Sequence, residues 1–157
     1  MSEKSIRELI RTEEYETVEF KVAVPSDNII ATTIAAFANT KGGTILIGVR
    51  DKEEIIGIKN ASDVSRKIKQ IVRDLITPPI SVSSKTLQIN SKEILVVTIP
   101  QSKNAPHLVQ GRIFHRFGIA NLLSTRDFVT HLIDVAKSNP DPMRSIEEQL
   151  DRLIKAN

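Results

Sequence analysis

The sequence contains no cysteine and no tryptophan, one tyrosine and five phenylalanines. Without cysteine there is no disulfide framework, no cysteine-based zinc site and no thiol nucleophile. With aromatics at only 4% of residues, stacking of bases on aromatic platforms is disfavoured, and a duplex or folded RNA suits the composition better than an unstructured strand. No apolar run exceeds strand length, and the first eleven residues alternate charged with apolar side chains. Neither a membrane-spanning helix nor a secretory leader is therefore expected, and the reading is a cytoplasmic protein with no membrane partner.

Several catalytic signatures are also missing. Gly43 and Gly48 have the glycine spacing of a phosphate-binding loop, yet Val49 and Arg50 stand where Lys and Ser or Thr are needed, and no dinucleotide fingerprint occurs. No nucleotide cofactor is expected. His107, His115 and His131 are too irregularly spaced for a local zinc clamp, and no Gly-x-Ser-x-Gly elbow supplies an activated serine.

What is present is a globular composition: 157 residues, 40% apolar and 26% charged, enough for one domain with a modest appendage. The net charge is only +3, but it is unevenly spread. No Asp or Glu occurs between Ile94 and Arg126, a stretch that holds Lys103, Arg112, Arg116 and Arg126, whereas the first twenty residues carry six glutamates. A basic second half beside an acidic N-terminus suits a polyanionic partner next to a carboxylate site.

Apolar spacing predicts helices over 5–11, 28–40, 63–76 (with Ser62 as cap) and 124–137, and strands over 17–22, 44–50, 55–58, 80–89, 92–99 and 112–117. In the first strand, Val18, Phe20 and Val22 share one face and Thr17, Glu19 and Lys21 the other. The 44–50 run is apolar on both faces, as in the centre of a sheet. The fold class is therefore α+β, a mixed sheet flanked by helices. Residues 1–137 form the domain, and 138–157 a linker and amphipathic C-terminal helix with Ile146, Leu150, Leu153 and Ile154 on one side.

Elimination leaves carboxylates as the candidate chemistry. Glu14, Glu19 and Asp51 lie near strand ends, where oxygen ligands from separate elements converge on hard cations such as magnesium or manganese, and Lys21 beside Glu19 offsets phosphate charge.

Three stretches together are distinctive: Glu-Tyr-Glu-Thr-Val-Glu-Phe-Lys from Glu14, Ala-Phe-Ala-Asn-Thr-Lys-Gly-Gly-Thr-Ile-Leu-Ile-Gly-Val-Arg-Asp from Ala36, and Phe-His-Arg-Phe-Gly from Phe114. With them the chain resembles the Schlafen AlbA_2 family. The resemblance implies a mixed sheet flanked by helices. It also implies one of two roles: a DNA-binding or regulatory protein like the single-domain microbial members, or a protein that grips structured RNA such as tRNA, as the two-lobed animal members do. Some of those cleave RNA with two glutamates and an aspartate holding a divalent metal, and by motif position these are Glu14, Glu19 and Asp51. This chain departs from the animal proteins in lacking cysteine for their zinc finger and in carrying one copy of the domain. Ile119–Leu123 also replaces the usual small, Ser-rich continuation. A homodimer through the 143–156 helix would restore two lobes.

The reading placed first is a nucleic-acid-binding protein that holds the phosphates of DNA or structured RNA with Lys21, Lys41, Lys103, Arg112 and Arg116. Second is a metal-dependent endoribonuclease using Glu14, Glu19, Asp51 and Lys21 with magnesium or manganese. Third is a protein-interaction or assembly module.

Overall fold

The computed structural model describes residues 2–138. The chain opens with α1 (Glu3–Ile10), whose first turn is capped by the Ser2 hydroxyl accepting from the Ser5 N–H at 3.2 Å. Edge strand β1 (Val18–Lys21) follows, then α2 (Asp27–Asn39), β2 (Gly43–Ile47), and a small antiparallel pair, β3 (Val49–Asp51) with β4 (Glu54–Ile55). Next come α3 (Ala61–Leu75), the short β5 (Ile76–Thr77) and the hairpin of β6 (Ser83–Ile89) and β7 (Lys92–Ile99). Short β8 (Leu108–Val109), β9 (Arg112–Phe117), β10 (Ala120–Leu123) and α4 (Arg126–Lys137) complete it.

The strands form two four-stranded sheets and not one. The first runs β1-β2-β7-β6, with β1 parallel to β2 and the rest antiparallel; the second runs β10-β9-β8-β5, all antiparallel. Both faces of β2 are buried, as its apolar sequence predicts. Leu46 packs with Phe20 and Val96 against Ile6 and Ile10 of α1, while Ile45 and Ile47 join Leu95 and Val97 beneath α2 and α3.

Helix α2 is buried on nearly every side. Ile30, Ala31, Ile34, Ala35, Ala36, Phe37 and Ala38 are all fully enclosed, and the helix touches strands of both sheets. An apolar stripe would need only one covered face, whereas the four alanines let backbones approach from several directions, so the helix becomes the wedge between the sheets. Its end is fastened by the buried Asn39, whose amide donates to the carbonyls of His107 and Phe114 at 2.9 Å each and accepts from the His107 N–H at 2.7 Å. One side chain thus ties α2 to the segments entering β8 and within β9, with its hydrogen-bonding groups satisfied.

Several boundaries differ from the sequence expectation. Val22 lies outside β1 and is 41% exposed. The 44–50 run breaks at Gly48, where φ is +101° and a Cβ would come within 3.2 Å of the Gly57 backbone. The return strand over 55–58 shrinks to β4, and the 80–89 strand begins at Ser83. Helix α3 starts at Ala61, so Ser62 lies inside it and Asn60 occupies the cap position without a side-chain cap bond. Strands β5, β8 and β10 are too short for a periodic signal and exist because β9 offers them a partner or bridges to one. The expected 143–156 helix lies outside the described residues. Among those described, no helix is long and apolar enough to cross a membrane.

The Lys41-Gly42-Gly43 turn between α2 and β2 is the tightest point. At Gly42 φ is +72° and a Cβ would stand 2.6 Å from both the Gln101 nitrogen and the Ile99 oxygen. Gly42→Ala is expected to lower stability by about 1–3 kcal/mol, through backbone strain and overpacking, as read from chemical denaturation midpoints at constant m.

Candidate functional site

The alternation of β1 sends Val18 and Phe20 toward α1, and Glu19 and Lys21 toward the side where the second sheet lies. Glu19 is therefore not on a solvated strand face; it is only 6% exposed. Its Oε1 is paired with the Lys21 ammonium on the same strand, and its Oε2 lies 2.5 Å from Nη2 of Arg116, which comes from β9. The Arg116 contact is a close electrostatic one, without the angles of a directed hydrogen bond, so Oε2 makes none among the described residues.

Arg116 is 2% exposed, which makes it a buried structural cation and not a surface phosphate contact as the charge pattern suggested. Its guanidinium lies 4.7 Å over the Phe37 ring and donates through Nη1 to Asn121 at 3.0 Å. Nη2 also reaches the carbonyls of Tyr15 at 3.4 Å and Val18 at 3.5 Å, and its backbone N–H donates to the Thr40 hydroxyl at 2.8 Å. Asn121 in turn donates to Thr33 at 2.9 Å. The guanidinium thereby joins β1, α2, β9 and β10, and only Nε has no hydrogen-bond partner among the described residues.

Glu14 belongs to the same region in a different role. Its carboxylate accepts the Phe20 N–H at 2.6 Å, while Tyr15 and Val18 exchange backbone bonds at 3.2 and 3.0 Å. These contacts, with those from Arg116, satisfy the outward backbone groups of an edge strand that would otherwise be open to pairing. Asp51 is exposed at the tip of β3 and accepts the N–H of Lys52 at 2.7 Å.

The structure does not gather Glu14, Glu19 and Asp51 into one ligand set, and no group of three His, Cys, Asp or Glu suited to a metal exists among the described residues. Glu19 faces two cations and Glu14 is spent on a backbone N–H. As arranged, this donor set does not fit a divalent ion, which needs converging oxygens free of competing cations. The remaining predicted basic residues are dispersed: Lys41 is exposed and paired with Glu16 at 2.7 Å, Lys103 is exposed on the loop before β8, and Arg112 is exposed at the start of β9.

Sequence reasoning assigned no structural role to Asn39, Thr40, Asn121 and His107. The first two lie inside the Ala-Phe-Ala-Asn-Thr stretch, where two polar residues ending an apolar helix were the available signal. His107 is buried, with Nδ1 2.6 Å from the Pro78 carbonyl and Nε2 2.6 Å from the Ser102 hydroxyl. Since a carbonyl only accepts, Nδ1 carries the proton and the neutral ring accepts the serine hydroxyl. Burial pushes its pKa below the ordinary 6.5, against a smaller opposing effect of the Pro78 carbonyl.

The fold and these contacts define an α+β domain whose edge strand is locked from within by a buried Glu–Arg pair. The chain belongs to the Schlafen AlbA_2 family, whose model, "Schlafen, AlbA_2", matches residues 14–123. It is 32% identical over 91 residues to the "Uncharacterized ATP-binding protein UU034" of Ureaplasma parvum serovar 3, a match covering 54% of this chain and 26% of that protein. Its fold is similar to the N-terminal domain of the "Putative ATP-dependent DNA Helicase RecG-related Protein" from Nitrosomonas europaea (TM-score 0.58, 19% identity, 70% of this chain and 82% of that one). It is likewise similar to the DIP2311 protein from Corynebacterium diphtheriae (TM-score 0.55, 20% identity, 74% of this chain). The match spans about a quarter of the length of UU034 and of DIP2311.

Two measurements test this site. Arg116→Met leaves Glu19 buried beside Lys21 alone and is expected to cost about 3–5 kcal/mol in urea unfolding, with Glu19→Leu added in the same chain recovering part of the loss. His107, protonated more readily in the unfolded chain, contributes stability that is present above pH 6.5 and lost as pH falls through 6.5 toward its lower folded value. His107→Gln is expected to flatten that decline, whose limiting slope is about 1.4 kcal/mol per pH unit per proton.

Proposed function

We propose that this protein binds nucleic acid mainly through the phosphate backbone. The observation that carries the reading is the charge of the second sheet and its loops. Between Ile94 and Arg126 there is no carboxylate, and Lys103, Arg112 and Arg126 in this stretch are all exposed. Membership of the Schlafen AlbA_2 family and the likeness in fold to a domain of a helicase-related protein support the same direction.

Physically, the surface suits a polyanion that is tracked and not enclosed. Arg112 begins the six-residue β9 and Arg126 follows β10, which runs back alongside it, while Lys41 follows Thr40, whose hydroxyl accepts the Arg116 N–H toward the far end of β9. Arg112 and Arg116 are four residues apart, about 13 Å of strand, a span of several phosphates. Lys41 is held by Glu16 at 63% side-chain exposure, an ion pair weak enough for a phosphate to replace. Arg116 and Lys21 act on Glu19 and contribute to the surface only indirectly.

The test is fluorescence anisotropy with labelled tRNA and duplex DNA between about 50 and 200 mM salt, where each phosphate contact adds nearly one to the slope of log affinity against log salt. Lys103→Ala and Arg112→Ala are each expected to weaken binding and lower that slope by about one. Affinity indifferent to salt removes the proposal in favour of a protein-interaction module. Manganese-dependent cutting that stops in EDTA and in a folded Glu19→Gln variant replaces it with a nuclease.

A further inference from the structure

The two four-stranded sheets have four outer strands, and three of these are guarded. The edge of β1 is closed by Glu14 and Arg116, which take the Phe20 N–H and the Val18 carbonyl. Strand β6 carries the exposed Lys85 and is fastened to α3 by the Ser65 and Ser84 hydroxyls at 2.6 Å. Strand β5 is two residues long and runs into Pro78 and Pro79. Each of these devices stops a sheet from pairing outward. Strand β10 has none of them. It reads Ala-Asn-Leu-Leu, and from Phe117 to Thr125 the chain holds no charge and no proline.

Apolar exposure is concentrated at the same place. Of the seven large hydrophobic side chains exposed among the described residues, Phe117, Ile119, Leu122 and Leu123 fall in one short stretch. Helix α4 stacks Phe128 on His115 at 4.1 Å between ring centroids, yet Leu122, which pairs with His115, is still 42% exposed, and Leu123 is 57% exposed. The backbone is open as well. Arg116 sends its N–H to Thr40 and Ser124 donates to the Ile113 carbonyl, so the pairs that exchange bonds across the hairpin are His115 with Leu122 and Phe117 with Ala120. The N–H and C=O of Asn121 and Leu123 therefore point away from β9, and among the described residues no other backbone group takes them.

We infer that β10 pairs antiparallel with β10 of a second copy of this chain about a two-fold axis, joining the second sheets of the two copies into one. The register that uses every outward group puts Leu122 against the partner's Leu122 on the axis, while Asn121 and the partner's Leu123 exchange both backbone bonds, and the symmetry repeats them. A second copy fits better than a foreign peptide for two reasons. An added peptide leaves its own far edge open, whereas the two-fold consumes both edges. An uncharged segment also meets its own image without bringing like charges together. Since Ser124 is bonded to Ile113, Arg112 and Arg126 lie at the same end of the hairpin, and the axis sets one such pair on each side of a continuous sheet. The pairing itself does not depend on the nucleic-acid reading.

Sedimentation equilibrium on the full chain is expected to show a concentration-dependent dimer, with amide exchange at Asn121 and Leu123 slowing as protein concentration rises. Leu122→Lys sets two ammonium groups against each other on the axis, and Leu123→Pro removes an outward N–H without touching a bond to β9. Each is expected to weaken dimerisation about tenfold or more, while far-UV circular dichroism stays that of the folded parent. A full chain that remains monomeric at its highest soluble concentration, or a dimer that both folded variants leave intact, would overturn the pairing. So would dissociation by Leu150→Lys with Leu122→Lys ineffective, which assigns the contact to residues 139–157. Protection of the Asn121 and Leu123 amides in a strict monomer equally overturns it, because the strand is then covered by the chain's own remainder.

Discussion

The contact between Glu19 and Arg116 holds together parts of the chain that are nearly a hundred residues apart. A carboxylate so poorly hydrated is tolerable only with cations against it, and a guanidinium so enclosed only with acceptors and a ring face around it. Glu19 finds Lys21 on its own strand and Arg116 from the other sheet. Arg116 finds Glu19, Asn121, two carbonyls at the edge of β1 and the face of Phe37. The planar fork of arginine serves several directions at once, which the point charge of lysine would not. Through this one group the free edge of β1 is closed and the β9–β10 hairpin is held to the domain.

That arrangement depends in turn on α2. A helix lined with alanine is thin enough to pass between two sheets, and its C-terminal residues are polar where they meet irregular backbone. Asn39 satisfies two carbonyls and one N–H, and Thr40 supports the Arg116 backbone. The following glycines allow the chain to turn directly into β2 against the 99–101 segment. Helix end, turn, buried strand and arginine are therefore one mechanical unit, which explains physically why the motif stretches of the sequence occur together.

The same unit sets the character of the surface. By consuming Glu14, Glu19, Lys21 and Arg116 internally, it leaves Lys103, Arg112 and Arg126 as the exposed cations of the carboxylate-free stretch around the second sheet. Internal ionic contacts position the surface groups. A charge pattern read along the chain mixes these two roles, because burial decides whether a basic residue is a clamp or a contact.

The sequence by itself determined the longer elements and the class of fold, since periods of 3.6 and 2 are local properties that survive without tertiary knowledge: α1, α2, α3, α4, the β6–β7 hairpin and the doubly buried β2 were all legible. It also marked Glu14, Glu19 and Asn39 to Gly43 as unusual through their motifs. Tertiary structure alone decided that there are two sheets, that α2 lies between them, and that strands as short as β5, β8 and β10 exist at all, because each depends on a partner distant in sequence. It alone decided that Glu19 faces inward to a guanidinium and not to a metal-ready cluster. Such facts are set by which long-range pairings form, and a side chain's chemistry follows from the neighbours those pairings bring to it.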